Sequence, residues 1–191
     1  MIDAVLGCIE DDINNYLRLK LPNSLQGEKK VLVSNIVNQD GTIAVNGSDK
    51  VILSLYNIEH ESAPRKTGGA SGGIKSGNNG ALFLNIYILF VAYFSSNNYS
   101  QGLMFISYII SYFHKKNNYN SSNTPKFSQL GIGVDKILFE INTLSPEQVN
   151  NLWSTVGAKM MPFVMYKVRT LQFDESVLSE YRPAISGIST N

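Results

Sequence analysis

The fourteen residues A-L-F-L-N-I-Y-I-L-F-V-A-Y-F, at positions 81–94, constrain the fold more than any other stretch. Apolar side chains fill both alternating sets of positions, so an extended chain here must hide both of its faces. Asn85 interrupts the run, which also falls short of the ~20 apolar residues that a membrane-spanning helix needs. Ile, Val, Phe and Tyr dominate it, and these residue types favour strand. The run therefore predicts a long central strand with a layer packed on each side. That requirement selects an α/β (α+β) sheet domain.

The flanking sequence supplies the layers. Ile2, Val5, Leu6, Ile9, Ile13, Tyr16 and Leu17 recur at helical spacing, giving an amphipathic first helix that ends before Pro22. Asp3, Glu10, Asp11, Asp12 and Arg18 fall largely on its other face. Adjacent helical residues diverge by ~100°, so Glu10, Asp11 and Asp12 cannot converge on one metal ion and read as a solvated face. Cys8 sits beside Leu6 and Ile9 and reads as a buried, inert thiol. Strands are expected at 31–37 and 50–59, separated by the turn signals Asp40-Gly41 and Asn46-Gly47. Residues 62–80 are rich in Gly, Ser and Lys without periodicity, which predicts a flexible loop.

Beyond the central strand, Tyr99, Leu103, Ile106, Ile110 and Phe113 repeat every three or four residues, predicting a helix that packs on the sheet through that face. A polar loop at 117–125 and a strand at 131–142 follow. Ser145-Pro146-Glu147-Gln148 carries a capping box with proline at the first helical position, and Leu144 and Val149 occupy the staple positions. The short helix so started runs to about Thr155 and ends at Gly157. Within it Trp153, with Val149, Leu152 and Val156, reads as a core anchor. A last strand at 160–171 places Val164, Tyr166 and Val168 on one face and Phe163, Met165, Lys167 and Arg169 on the other. The expected whole is one domain over residues 1–173, a mixed sheet of about five strands flanked by three helices. An extended C-terminal arm occupies 174–191, with Tyr181, Pro183, Ile185 and Ile188 as scattered anchors.

Charge and motifs exclude more than they assign. Net charge is +1 with no basic stripe, which argues against a nucleic-acid partner. A single cysteine leaves no internal disulfide, and the N-terminus lacks the pattern of a secretion signal. Charged residues make up 16% of the chain, so Asn, Ser, Gly and apolar groups must cover much of the surface, as in a protein that assembles. The segment G-G-A-S-G-G-I-K-S at 68–76 approaches a phosphate-binding loop, but Ile74 separates Gly73 from Lys75 and no helical pattern follows. It also spells G-x-S-x-G around Ser71, without the strand and helix that a nucleophile elbow requires. His114, the only histidine after Ser71, ends an apolar helix before two lysines and reads as a cap. His60 lies between Glu59 and Glu61, which share the opposite face of a strand and cannot join it around one metal. Lys167 and Arg169 have no acid or nucleophile near them in sequence, so they read with Lys159 as a candidate subunit or tube interface. No catalytic, cofactor or metal residue is assigned.

Four segments carry a resemblance: L-S-L-Y-N-I-E-H-E (53–61), the central run, Y-S-Q-G-L-M-F-I-S-Y-I-I-S-Y-F (99–113), and S-P-E-Q-V-N-N-L-W-S-T-V-G-A-K-M-M-P-F-V-M-Y-K-V-R-T-L (145–171). In this order they resemble the tail-terminator, or cap, family of extracellular contractile injection systems, phage-tail-like particles of the antifeeding-prophage type. The resemblance implies a structural, non-enzymatic protein whose partners are copies of itself in a ring of six, the inner tube protein and the sheath protein. It implies no cofactor, no nucleic acid and no membrane insertion. A C-terminal arm would meet the last sheath layer, here through Tyr181, Arg182, Pro183, Ala184, Ile185 and Ile188. Assembly would take place in the cytoplasm, and the product would be a released or anchored particle. The alternatives are a tail-completion or neck protein of a contractile-tailed phage, and a small α/β hydrolase using Ser71.

Overall fold

The computed structural model describes residues 2–21, 28–61, 82–120, 122–128 and 136–173. Its elements run α1 (Ile2–Lys20), β1 (Val31–Val33), β2 (Lys50–His60), β3 (Leu82–Tyr93), a 3-10 turn (Ser96–Asn98), α2 (Tyr99–Lys115), β4 (Asn118–Asn120), α3 (Pro125–Ser128), β5 (Lys136–Ile141), α4 (Pro146–Val156) and β6 (Phe163–Phe173). The strands form one six-stranded sheet in the order β1-β2-β3-β6-β5-β4. Only β1 and β2 pair in parallel, so the sheet is mixed.

The doubly apolar run becomes β3, and it does lie at the centre, antiparallel to β2 on one side and β6 on the other. One of its faces, with Ile86, Ile88, Phe90 and Ala92, packs with Val51, Leu53, Val164, Tyr166 and Val168 beneath α1 and α2. The other, with Leu89 and Val91, packs with Ile52 and Met165 beneath α4 and an irregular lobe that contributes Ile36, Val37, Ile43 and Val45. The expected division of β6 into a Val164/Tyr166/Val168 face and a Phe163/Met165 face is borne out.

α1 is held to the sheet edge by more than its apolar stripe. Buried Asn14 donates through Nδ2 to the Val31 carbonyl at 2.8 Å and accepts from the Lys30 and Val31 amides at 2.9 and 3.1 Å. One side chain thereby replaces part of a strand ladder and fixes β1 against the helix. The strand expected at 31–37 stops at Val33, and Val37 survives as a single bridge to Ile43. Gly41 and Gly47 hold φ of 81° and 78°, as their turn signals require.

α2 forms over the expected residues but buries a different face. Gly102, Phe105, Ile106, Ile109, Tyr112 and Phe113 point inward, while Tyr99, Leu103 and Ile110 are exposed. The cause is Gly102, where a Cβ would stand 3.2 Å from the Phe94 ring and 3.4 Å from the Ala92 Cβ. Close approach of the helix to β3 at that point rotates the contact stripe away from Leu103.

The loop expected at 117–125 contains β4, which accounts for six strands rather than about five. Tyr119, between two asparagines, is fully buried against Phe139, and its hydroxyl lies 2.8 Å from that of Tyr112. α4 carries the expected capping box from Ser145 and Gln148 and ends at Gly157 with φ 72°. Trp153 joins Leu152, Val149 and Val156 in the second core cluster and stands edge-on to Phe163, with ring centroids 5.6 Å apart. The segment 62–80 and the arm 174–191 lie outside the described residues, as does the beginning of the strand expected at 131–142.

Candidate functional site

The described ends of four strands, His60, Leu82, Lys136 and Phe173, share one end of the sheet. α4 and the lobe at 36–45 cover the opposite half of their sheet face, so the half near this end carries a polar surface. It is built from β2, β3, β6 and β5 in that order across the sheet.

Lys167 and Arg169 both stand there, brought to one face by the two-residue period of β6. Lys159 does not join them. It is exposed in the connection before Phe163, at the far end of β6 and roughly 20 Å of strand from Arg169.

Neither cation is without acidic company, which corrects the sequence expectation. The Lys167 ammonium lies 3.8 Å from Glu59 and 5.3 Å from the centre of the Tyr87 ring. Arg169 reaches Glu140 at 3.2 Å through Nη1 and Glu61 at 3.4 Å through Nη2. Asn85 Nδ2 donates to Glu61 at 2.8 Å, and the Tyr87 hydroxyl donates to Glu59 at 2.7 Å. The Asn85 hydrogen bond outweighs burial and, with Arg169 adding to it, holds the Glu61 carboxyl below its ordinary value. Tyr87 and the neighbouring carboxylates raise the Lys167 ammonium.

A bulge helps to assemble the group. Leu84 pairs with Leu171 and Ile86 with Val168, so β6 carries an extra residue opposite Asn85. Bulges re-aim side chains, and here Arg169 reaches both β5 and β2. The Asn85 Oδ1 and Arg169 Nε atoms are buried without a hydrogen-bond partner among the described residues. The assembly is a balanced field of carboxylates, cations, an amide and a phenol.

The other residues singled out in the sequence take quieter roles. Glu10 and Asp11 bind Lys29 at 2.8 and 2.9 Å, Asp11 also binds Lys126 at 3.2 Å, and Asp12 binds Lys116 at 2.9 Å. The acidic trio is thus tied up in ion pairs rather than a plain solvated face, Glu10 and Asp11 sharing Lys29 and Asp12 standing apart on Lys116, and no group of metal-binding type occurs among the described residues. Cys8 is buried and free, and burial pushes its thiol up. His114 lies exposed in the last turn of α2, and His60 is exposed on β2. Ser71, the whole 68–76 segment and the arm residues Tyr181, Arg182, Pro183, Ala184, Ile185 and Ile188 lie outside the described residues. No helix among those described is long and apolar enough to cross a membrane. Sequence reading missed the buried pair Tyr112 and Tyr119, which ties to Asp12 and Lys116; a lone aromatic amid asparagines was the available signal.

Residues 9–186 match the family model described as the Pvc16 N-terminal domain. The chain belongs to the Pvc16 N-terminal domain family. No curated protein matches the sequence. Among solved structures, this Pvc16 N-terminal domain is similar to the sheath/tube terminator of an extracellular contractile injection system, PVC, in its extended state, at 13% identity and a TM-score of 0.53 over 94% of the chain. It is also similar to the tube-terminating cap of the anti-feeding prophage, at 13% identity and a TM-score of 0.51 over 96% of the chain. The chain spans 61% and 60% of the lengths of those two proteins. The resemblance to the terminator family is thereby borne out, and neither the phage-neck nor the hydrolase alternative is favoured.

Proposed function

We propose that this Pvc16 N-terminal domain is the structural cap of a contractile injection system, a non-enzymatic subunit that ends the inner tube and anchors the last layer of sheath. The observation that carries the reading is the match of residues 9–186 to the family model together with the similarity of fold, over nearly the whole chain, to two proteins described as tube terminators. Copies would close into a ring of six on the last tube layer. A closed ring needs a heterologous contact, in which two different patches of the same chain meet. The field around Lys167 and Arg169 would serve as a docking face, with Lys159 contributing from the other end of β6. The domain would occupy 1–173, and the arm at 174–191 would reach the sheath through Tyr181, Arg182, Pro183, Ala184, Ile185 and Ile188. Such an arm gains affinity by adding backbone hydrogen bonds to a sheet edge. The subunit would assemble in the cytoplasm and then remain part of the phage-tail-like particle.

Deletion of residues 176–191 tests the division of labour. The shortened chain is expected to fold, to bind tube ends and to lose association with sheath. A shortened chain found at sheathed particle ends as often as the full one would refute the role of the arm.

A further inference from the structure

The lobe that covers the second core cluster contains two turns, Asp40-Gly41 and Asn46-Gly47, whose chemistry differs sharply. In such pairs the glycine nitrogen can attack the side-chain carbonyl carbon of the residue before it and close a five-membered imide. Glycine favours this step because no side chain shields its nitrogen or stiffens its backbone.

Asp40 is restrained at both reacting atoms. Its Oδ1 accepts from the Thr42 hydroxyl at 2.6 Å and from the Thr42 amide at 2.9 Å. Those bonds hold the carboxyl below its ordinary value, so it stays ionised, and a carboxylate carbon is a poor electrophile. The Gly41 amide, which would be the nucleophile, donates to the Asn38 carbonyl at 3.0 Å.

Asn46 has none of these restraints. Its side chain is exposed and makes no hydrogen bond among the described residues, and neither does the Gly47 amide. A Cβ placed on Gly47 would meet nothing within 4 Å, so space for ring closure is open. The chain is fastened only on either side. Val45 packs on the second core cluster, and Asp49 accepts from the Ser95 amide at 3.1 Å and from Asn98 Nδ2 at 2.7 Å. Asn120, which also precedes a small residue, shows the contrast. Its Nδ2 donates to Asn118 at 3.3 Å, and its Oδ1 accepts from the Ser122 and Asn123 amides at 3.0 and 2.9 Å.

We propose that Asn46 is a site of spontaneous deamidation in the folded protein, converting to aspartate and isoaspartate through a succinimide. The Gly47 nitrogen gives its proton to hydroxide and bonds to Asn46 Cγ. The Cγ–Nδ2 bond then breaks, and ammonia leaves with a proton from water. Water next adds to one of the two imide carbonyls. Opening at Cγ gives aspartate. Opening at the main-chain carbonyl gives isoaspartate, which routes the backbone through Cγ and lengthens the span between Val45 and Asp49 by one carbon. Water is the only co-reactant, and nothing is oxidised or reduced. Either product takes the formal net charge from +1 to zero, where association is favoured. The step is independent of the cap reading.

The test is incubation of the full chain under native conditions at mildly alkaline pH, with a sample unfolded in urea alongside. Isoelectric focusing and mass spectrometry of the peptides follow. The expected result is an acidic species, heavier by the difference between an amide and a carboxyl, mapped to Asn46 and forming faster as the pH rises. Isoaspartate should be present among the products. Asp40 and Asn120 should stay intact in the native sample. Asn46→Gln should lose the modification at this position, because glutamine would have to close a six-membered ring, and should keep the wild-type circular dichroism. Asn46 left intact in the native sample overturns the proposal. So does an acidic species that maps only to other asparagines, Asn79 before Gly80 included. Asp40 or Asn120 changing as fast as Asn46 in the native sample also overturns it, because hydrogen bonding would then not govern the choice.

Discussion

Replacing Trp153 separates a core anchor from a functional side chain. Trp153 is 6% exposed in the cluster formed by Ile36, Ile52, Leu89, Val91, Leu152 and Met165, and its Nε1 has no hydrogen-bond partner among the described residues. Truncation to alanine removes the whole indole and leaves a cavity, at a cost of about 3–5 kcal/mol. Phenylalanine behaves differently. It loses roughly two carbons of buried apolar surface, about 1.6 kcal/mol at ~0.8 kcal/mol per methylene. It also removes a buried, unpaired N–H, which returns about 1–3 kcal/mol. The edge-on contact with Phe163 can persist with a phenyl ring. Trp153→Phe should therefore lie within about 1 kcal/mol of the wild type, and Trp153→Ala should consume a large part of a stability of about 5–15 kcal/mol. Urea unfolding followed by far-ultraviolet circular dichroism measures both, since the substitution removes the only tryptophan fluorophore. Phenylalanine costing as much as alanine would refute the reasoning, because the indole N–H would then have a partner that matters.

Three further outcomes follow from the same geometry. Hydrogen bonds from Lys29 and Lys126 hold Asp11 below the ordinary carboxyl range; at Asp49 the opposing effect of burial is outweighed by hydrogen bonds from Ser95 and Asn98. Folded values below unfolded ones mean stability that is present above about pH 4 and lost as the pH falls further, whereas burial raises Tyr166 to about 12, so its contribution holds below about pH 10 and fades toward 12; melting temperature against pH should decline at both ends. Gly102→Val places methyl groups against Phe94 and Ala92 and should cost about 1–3 kcal/mol in a denaturant titration, whereas an unchanged midpoint would mean that α2 does not sit that close. Arg169→Met should cost about 1 kcal/mol, since its two ion pairs are only partly buried, yet weaken tube or sheath binding in a salt-dependent way; a loss above about 3 kcal/mol would make it a structural tie instead.

The central strand was legible because one run of residues demanded burial on both faces, and the α4 boundaries because capping residues act locally. α2 was legible as a helix but not in its orientation. It is apolar most of the way round, and the choice between the Leu103/Ile110 stripe and the Phe105/Ile109 stripe fell to Gly102, whose contact on β3 is a tertiary fact. The acids around Lys167 and Arg169 could not be read locally either. Glu59, Glu61 and Glu140 come from strands far off in the chain, and strand order alone makes them neighbours. The outer side of β2 beyond Leu53, open among the described residues, has the same cause: its residues look like any strand, and exposure is decided by how soon β1 ends.

The most direct test of the cap assignment is imaging purified inner tubes after addition of the labelled protein, with the mass of the bound species measured alongside. The account predicts label at tube ends and none along the tube wall, on rings built from several copies. Label spread along the wall, or a single chain that leaves tubes bare, would contradict it.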